Sequence, residues 1–289
     1  METTLIFHEG IDLPCFASFP LLENPEGVEA LRAYFRPYLE IAREQGVGLA
    51  LDTPTWRANR DWGARLGYSE RDLDDVNRRA ATFMEEIRSS EPGTAIVVSG
   101  AIGPRGDGYS AADQMTAEEA EQYHAAQIAT FAETTVDMVG AWTLTYVEEA
   151  IGIVRAARSV GLPVMISFTV ETDGRLPSGT PLRDAIERVD QETDGAAAYF
   201  MVNCAHPTHF ADALEDGAPW TDRIGGLRAN ASRKSHAELD ESEELDEGDP
   251  ADLAARHREL RPLLRRATVV GGCCGTDHRH VAEICKAWG

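Results

Sequence analysis

Three cysteines occupy positions from which their thiols could do chemistry together. Cys273 and Cys274 are adjacent, lie between glycines and directly follow an apolar run, and Cys204 directly follows another apolar run. Adjacent cysteines rarely bond to each other because the small ring strains the peptide. The flanking glycines allow a sharp turn that points both sulfurs toward one ion. Two thiols from one turn and a third from another strand end predict Zn²⁺ held by three protein ligands, with the fourth position open.

An all-thiolate zinc site favours one kind of chemistry. It is electron-rich and therefore generates hydroxide poorly, but it holds a substrate thiol as thiolate at neutral pH. The pattern thus indicates nucleophilic attack by a metal-bound thiolate. Two alternatives remain open from spacing alone. The thiols could be small buried residues, or the site could include nearby histidines, which are His206, His209, His278 and His280.

The other two cysteines, Cys15 and Cys285, are interpreted as packing residues. An odd cysteine count argues against a disulfide scaffold. A signal peptide begins with a basic region followed by an apolar one, and the first nine residues contain neither. No run of 18 apolar residues predicts a membrane span. We therefore expect a cytoplasmic protein.

The charge balance restricts the partners. With 27 basic and 49 acidic residues the formal charge is −22, which argues against nucleic acid and against anionic membranes. Small molecules are the expected partners, and the sequence is compatible with both a monomer and a homo-oligomer. Nine of the acidic residues lie in 235–252. This segment is interpreted as a solvated excursion, with a substrate-covering loop as the alternative.

Short apolar runs alternate with helical patterns along the whole chain. Continuously apolar runs indicate strands covered on both faces. The predicted strands are 47–51, 95–99, 136–141, 164–168, 199–203, 224–227 and 268–271. The predicted helices are 30–44, 72–89, 117–134, 147–160, 182–192 and 253–264. This alternation predicts one α/β domain over 1–289, a (β/α)8 barrel whose active site lies at the carboxyl ends of the strands.

Several motifs resemble the homocysteine S-methyltransferase family. Gly-Gly-Cys-Cys-Gly-Thr at 271–276 is specific for that family, and Val-Asn-Cys at 202–204 and the loop at 99–107 also match. The resemblance covers nearly the whole chain. It implies a (β/α)8 barrel with zinc held by Cys204, Cys273 and Cys274, and homocysteine sulfur at the open position. A methyl group would pass from a donor to that sulfur and give methionine, with no catalytic residue beyond the zinc site.

The resemblance also suggests the substrate contacts. The residues at the matching strand ends are Thr53, Thr55, Trp142, Thr143, Asn203 and Asn230. For the two asparagines, contact with a substrate carboxylate and a role in tying loops together are both open. Arg105 and Arg228 are interpreted mainly as partners of surface acids, with carboxylate binding as the alternative.

The sequence departs from the family pattern at three strands. Met1–Leu5 matches only the second half of the first-strand motif, which predicts either a start upstream of Met1 or a truncated first strand. Trp142 replaces a glutamate that would hold the substrate ammonium, and Pro54 replaces an asparagine in the second-strand loop. Loss of a buried carboxylate would weaken ammonium binding by about 2–5 kcal/mol. Asp52, Glu171 and Asp173 are the acidic residues considered as replacements.

These departures leave the acceptor open. Homocysteine is the expected acceptor, and the alternatives are a different small thiol or a zinc-binding family member without activity. A zinc hydrolase is disfavoured because no His/Asp ligand set stands at the strand ends. The chain has no signature of a nucleotide, cobalamin or folate module, so the expected donor is a small sulfonium or ammonium compound.

Overall fold

A computed structural model describes residues 1–214, 218–242 and 244–289. Its seven strands form one parallel sheet in which each strand is bonded only to its neighbours in the sequence. The strands are Leu49–Asp52 (β1), Ile96–Ile102 (β2), Met138–Leu144 (β3), Val164–Phe168 (β4), Tyr199–Asn203 (β5), Ile224–Ala229 (β6) and Val269–Gly272 (β7). With helices between the strands, the chain forms a nearly closed α/β barrel, which confirms the predicted fold class.

Helices precede the first strand, connect the later ones and end the chain. Within the described residues they are Glu2–Phe7 (α1), Pro25–Gln45 (α2), Arg60–Arg65 (α3), Glu70–Ser89 (α4), Ala117–Ala132 (α5), Val147–Ser159 (α6), Leu182–Thr193 (α7), Pro207–Phe210 (α8), His236–Asp240 (α9), Pro250–Leu260 (α10) and His278–Trp288 (α11). None of them is long and apolar enough to cross a membrane.

Local signals explain where these elements begin and end. Thr116 and Glu119 form the predicted capping box at the start of α5, with side chain and backbone bonded in both directions. Gly161, at a φ of 72°, follows α6 as the predicted stop. Strand β2 continues to Ile102, beyond its predicted end. Gly100 permits this continuation, since a Cβ there would lie 2.7 Å from the Phe131 ring.

The first strand expected from the family motif is absent from the described residues. Met1–Leu5, which resembles half of that motif, lies mostly in helix α1, and no strand precedes β1. Strands β1 and β7 therefore each have one open edge. The gap between them is called the seam. Outside the seam, α2 and α11 pack against each other, so the helix layer is closed where the strand layer is not.

A cavity of about 1050 Å³ runs from the carboxyl ends of the strands to the seam. Val97 of β2 faces it and is 42% exposed, although it is apolar and lies inside the barrel. Helix α1 lies across the carboxyl end of the seam. Glu2 accepts a hydrogen bond from Ser18 at 2.8 Å, and His8 Nε2 lies 2.8 Å from Glu247 Oε1.

Candidate metal centre

The three cysteines converge at the carboxyl ends of β5 and β7. The Sγ atoms of Cys204, Cys273 and Cys274 all lie within 4.8 Å of one another, and all three residues line the cavity. Zn–S bonds of 2.3 Å in a tetrahedron separate two sulfurs by about 3.8 Å. Three soft thiols at this spacing, on the wall of a cavity large enough for a ligand, fit a zinc ion with one open position.

Backbone hydrogen bonds fix the two loops that carry the thiols. Cys204 adopts a φ of 54° and donates its N–H to the Arg228 carbonyl at 3.1 Å. The Cys273 N–H donates to the Ala229 carbonyl at 2.8 Å. Gly275, at a φ of 77°, passes so close to Asp246 that a Cβ would lie 2.4 Å from its carbonyl oxygen. Only glycine fits this turn, as expected from the motif.

Two asparagines hold the thiol loops in register. Asn230 donates to the Cys204 carbonyl and accepts from the Cys274 N–H, both at 3.0 Å, and thus ties the two loops together. Asn203 Nδ2 donates to Cys204 Sγ at 3.3 Å and to Thr143 Oγ1 at 2.8 Å. Its Oδ1 accepts from Ser167 at 2.6 Å, which fixes the amide with its N–H groups toward the sulfur. An amide donor in this position would stabilise the Cys204 sulfur as a thiolate when a metal ion displaces its proton.

The thiols have unequal acidity. Hydrogen bonds from Cys204 and Cys274 hold the pKa of Cys273 well below its ordinary value, against the effect of burial. The hydrogen bonds with Cys273 and Cys274, together with burial, raise the pKa of Cys204 well above its ordinary value. For Cys274 a hydrogen bond with Cys204 lowers the pKa, but the bond to Cys273 and burial outweigh it, and the pKa is raised to about 12. These directions favour a thiolate at Cys273 that accepts hydrogen bonds from the other two thiols. A bound metal ion would displace the protons of those two thiols.

A tyrosine and a histidine cover the thiols. Tyr109, in the loop after β2, lies with its Oη 3.5 Å from Cys274 Sγ and stacks on His236 with ring centroids 4.1 Å apart. His236 of α9 contacts Glu171 through Nδ1 at 3.1 Å and the Cys204 carbonyl through Nε2 at 2.8 Å. Because Asp240 and Asp246 also line the cavity, the segment 235–252 contributes to its wall. Glu243 lies outside the described residues.

The histidines near the motifs do not join the sulfurs. Among the described residues, the group of mutually close potential metal ligands that contains the thiols consists of the three cysteines. His8, Glu247 and Asp277 form a separate group. Arg279 lies 3.1 Å from Glu247 and 2.6 Å from Asp277, so the guanidinium of this chain already pairs with both acids.

The predicted substrate residues divide into two groups. Thr53, Trp142, Thr143 and Asn203 line the cavity. Asn230 does not, because both ends of its amide bind the thiol loops. Thr55 is also buried outside the cavity. Its hydroxyl lies 2.6 Å from that of Thr53 and donates to the Ala101 carbonyl at 2.8 Å, so it braces β1 against β2.

The cavity also contains a charged pair that the sequence interpretation placed elsewhere. Arg105 pairs with Asp61 at 2.8 Å on the surface, as predicted. Arg228 does not, since it lies in the cavity with Nη1 2.6 Å from Asp52 Oδ2.

Tyr109 and His236 were missed because neither follows a strand directly. The two remaining cysteines also differ: Cys285 is half-buried, but Cys15 is exposed, so its predicted packing role is wrong.

A thiol triad at the open end of a parallel α/β barrel is the arrangement expected for a thiol methyltransferase. A family profile described as homocysteine S-methyltransferase matches residues 1–288. The chain belongs to the homocysteine S-methyltransferase family and is a methyltransferase.

Solved structures agree on the fold. The oxidised form of the homocysteine methyltransferase MmuM from Escherichia coli is 20% identical with a TM-score of 0.72, covering 96% of this chain and 90% of that one. Its metallated form is 18% identical with a TM-score of 0.72, covering 96% and 91%. No curated protein matches the sequence.

Proposed function

We propose that the protein is a zinc-dependent enzyme that transfers a methyl group from a small sulfonium or ammonium donor to homocysteine, forming methionine. The observation that carries the proposal is the convergence of three thiols within 4.8 Å on the wall of a large cavity. Membership of the family supports homocysteine as the acceptor. The metallated form of MmuM supports metal binding by a protein of this fold.

Cys204, Cys273 and Cys274 would hold the metal, and bound zinc would lower the pKa of the acceptor thiol so that it is held as thiolate. The thiol proton leaves to solvent, and no protein base is required. The sulfur attacks the methyl carbon in line; the new S–CH₃ bond forms as the bond to the donor breaks, and its electron pair stays on the donor heteroatom. Asn203 fixes the sulfur of Cys204, and Tyr109 covers Cys274.

The cavity wall favours a cationic donor. Among the described residues, six acidic side chains and two arginines line the cavity; the acids are Glu2, Asp52, Asp107, Asp240, Glu244 and Asp246. An excess of negative charge around a cavity attracts cations. Tyr109 and Trp142 add aromatic surface, which methylated cations favour. Both features support a sulfonium or ammonium donor.

Metal analysis of the purified protein tests the scheme directly. Wild type is expected to bind about one zinc per chain, and Cys273→Ser is expected to lose it, because a structural or catalytic zinc site needs its thiolate ligands. Cys285→Ser is the matched control, since Cys285 lines the same cavity outside the triad. Equal zinc content in wild type and Cys273→Ser would overturn the proposal.

Trp142 supports a second candidate, methyl transfer to a different small thiol. Its indole stands where the family pattern has a carboxylate for the substrate ammonium, and it donates to Asp52 at 3.2 Å. Assays with homocysteine and with other small thiols, each with sulfonium and betaine-type donors, separate the two acceptors. A protein that binds zinc but methylates none of them would be a binding member of the family.

A further inference from the structure

The cavity beneath the thiols contains a paired acid and base that the zinc chemistry does not use. Asp52 of β1 and Arg228 of β6 meet with Oδ2 and Nη1 2.6 Å apart. Their side chains are 19% and 28% exposed, and both line the cavity. The pair is thus accessible to a ligand in the cavity without lying on the outer surface.

Neighbouring groups hold both side chains in place. The Trp142 indole donates to Asp52 Oδ1 at 3.2 Å, and its ring lies 4.4 Å from the Arg228 guanidinium carbon. Arg228 Nε donates to the Gly272 carbonyl at 3.3 Å. These contacts use two of the five N–H donors of a guanidinium and leave acceptor capacity on the carboxylate. The pair is therefore fixed but not saturated.

The backbone of Arg228 lies next to both loops that carry the thiols. The Arg228 carbonyl accepts from the Cys204 N–H, and Arg228 is in register with Gly271, two residues before Cys273. Two residues of strand span about 6.6 Å. In homocysteine two methylene groups separate the sulfur from the carbon that carries the ammonium and the carboxylate. A homocysteine whose sulfur lies at the cysteines can therefore reach the pair with its charged end.

An isolated ion pair inside a protein is a weak source of stability, because desolvation offsets most of its attraction. A zwitterion offers each member a partner of opposite charge. The guanidinium matches a carboxylate in a two-pronged geometry, and the carboxylate of aspartate accepts from an ammonium. Burial raises the pKa of Asp52, while the charge of Arg228 opposes this effect and favours the ionised carboxylate.

We propose that Asp52 and Arg228 bind the amino-acid end of the acceptor, with Arg228 on its carboxylate and Asp52 on its ammonium. This inference rests on the proposed function, since it assigns the charged end of the thiol that the zinc site would hold. Trp142 acts as a positioning residue that orients Asp52. The acceptor class is thus a thiol with an α-amino-acid end, and the role of the missing family glutamate passes to a residue on another strand.

Two variants and four thiols test the proposal by calorimetric titration of the zinc-loaded protein. The thiols are L-homocysteine, 4-mercaptobutanoate without the ammonium, 3-aminopropane-1-thiol without the carboxylate, and propane-1-thiol without either. Asp52→Asn is expected to weaken the binding of homocysteine and of the aminothiol about 10- to 100-fold. It should leave the binding of the mercapto acid unchanged or make it tighter. Arg228→Gln is expected to weaken the binding of homocysteine and of the mercapto acid by a similar factor and to leave the binding of the aminothiol unchanged.

A purely structural role predicts a different pattern, in which each variant weakens all four thiols in parallel; that result would overturn the inference. Arg223 and Asp190 provide the control, because they form a two-pronged pair at 2.6 and 2.9 Å outside the cavity lining. Arg223→Gln should leave the order of the four thiols unchanged. Should the single variants fail to fold, the uncharged double variant Asp52→Asn with Arg228→Gln should bind homocysteine no better than propane-1-thiol, and a retained preference refutes the role of the Asp52–Arg228 pair.

Failure of the proposed function has a separate signature. If wild type binds none of the four thiols in a zinc-dependent manner, the zinc–thiolate scheme itself is wrong. If wild type binds and methylates thiols but binds all four with equal affinity, the zinc–thiolate scheme stands and the proposed role of Asp52 and Arg228 is wrong.

Discussion

The closed wall of the barrel and the seam differ in how their strands are completed. Strands β2 to β6 each have a neighbour on both edges, whereas β1 and β7 have one each. In the closed wall, Trp142, Met165 and Met201 pack together in a buried cluster. Beside the seam, Val97 remains exposed in the cavity. One chain thus contains a packed half and an open half.

The candidate site is built across the boundary between these halves. Cys204 follows β5 in the closed wall, while Cys273 and Cys274 follow β7 at the seam. Asp52 and Arg228 likewise connect β1 at the seam to β6. The closed wall supplies rigid positions, and the seam supplies the open space that a substrate needs. Each of the following predictions compares the two halves.

The largest contrast is expected between buried apolar side chains. Phe168 of β4 is fully buried and packs on Phe200 with ring centroids 6.3 Å apart, so Phe168→Ala should lower the free energy of unfolding by about 3–5 kcal/mol. Val97→Ala, at the exposed position beside the seam, should change it by less than about 0.5 kcal/mol. Urea unfolding at pH 7.5 measures both. Equal losses would show that the seam is packed in solution.

Amide hydrogen exchange should distinguish the open strand edges. Leu49 and Thr53 donate their N–H groups at 2.9 Å to the carbonyls of Ala95, just before β2, and Ser99 of β2. Alternate residues of a strand direct their amides to opposite edges, so the Ala50 and Asp52 amides point into the seam. Their exchange should be faster than that of Ile166 in β4 by about a hundredfold or more. Equal protection would mean that another segment pairs with β1.

The helix layer beside the seam, in which α10 packs on α11, should behave like the closed wall. His257 of α10 is fully buried, and burial lowers its pKa even though its backbone hydrogen bonds oppose this. The folded state therefore binds fewer protons than the unfolded state as pH falls below about 6.5, so stability is complete above that pH and decreases below it.

The slope from this one group is at most about 1.4 kcal/mol per pH unit. His257→Gln should reduce the slope of unfolding free energy against pH below pH 6.5, as measured by urea unfolding at several pH values. Leu260→Ala, at a buried residue of the same helix that does not titrate, is the control and should lower the unfolding free energy without changing the slope. A wild-type slope retained in His257→Gln would indicate that the helix layer beside the seam is hydrated.

Much of the closed wall could be predicted from the sequence for a physical reason. Strands covered on both faces must be apolar throughout, so all seven runs were recognisable, and the topology places their carboxyl ends together. The convergence of Cys204 with Cys273 follows from that rule alone. The seam could not be predicted in the same way. Whether Met1–Leu5 forms a strand depends on neighbouring edges, and in the structure most of it forms a helix.

Local sequence patterns could not predict the contact between Asp52 and Arg228, for a related reason. Asp52 and Arg228 are 176 positions apart, and their contact depends on how far the barrel closes. The sequence suggested Asp52 as a replacement acid but paired Arg228 with the surface. Tyr109 lies in a glycine-containing loop whose course has no periodic signal, so its approach to Cys274 becomes visible only in three dimensions.

The smallest effect is expected where α1 crosses the carboxyl end of the seam. His8 and Glu247 make a contact of 2.8 Å, but their side chains are 35% and 38% exposed. Exposed ion pairs contribute about 0–1 kcal/mol because water and salt screen them. His8→Ala should therefore lower the unfolding free energy by less than about 0.5 kcal/mol, as measured by urea unfolding. A larger loss would show that α1 closes the seam by tight packing, and the seam would then share the rigidity of the closed wall.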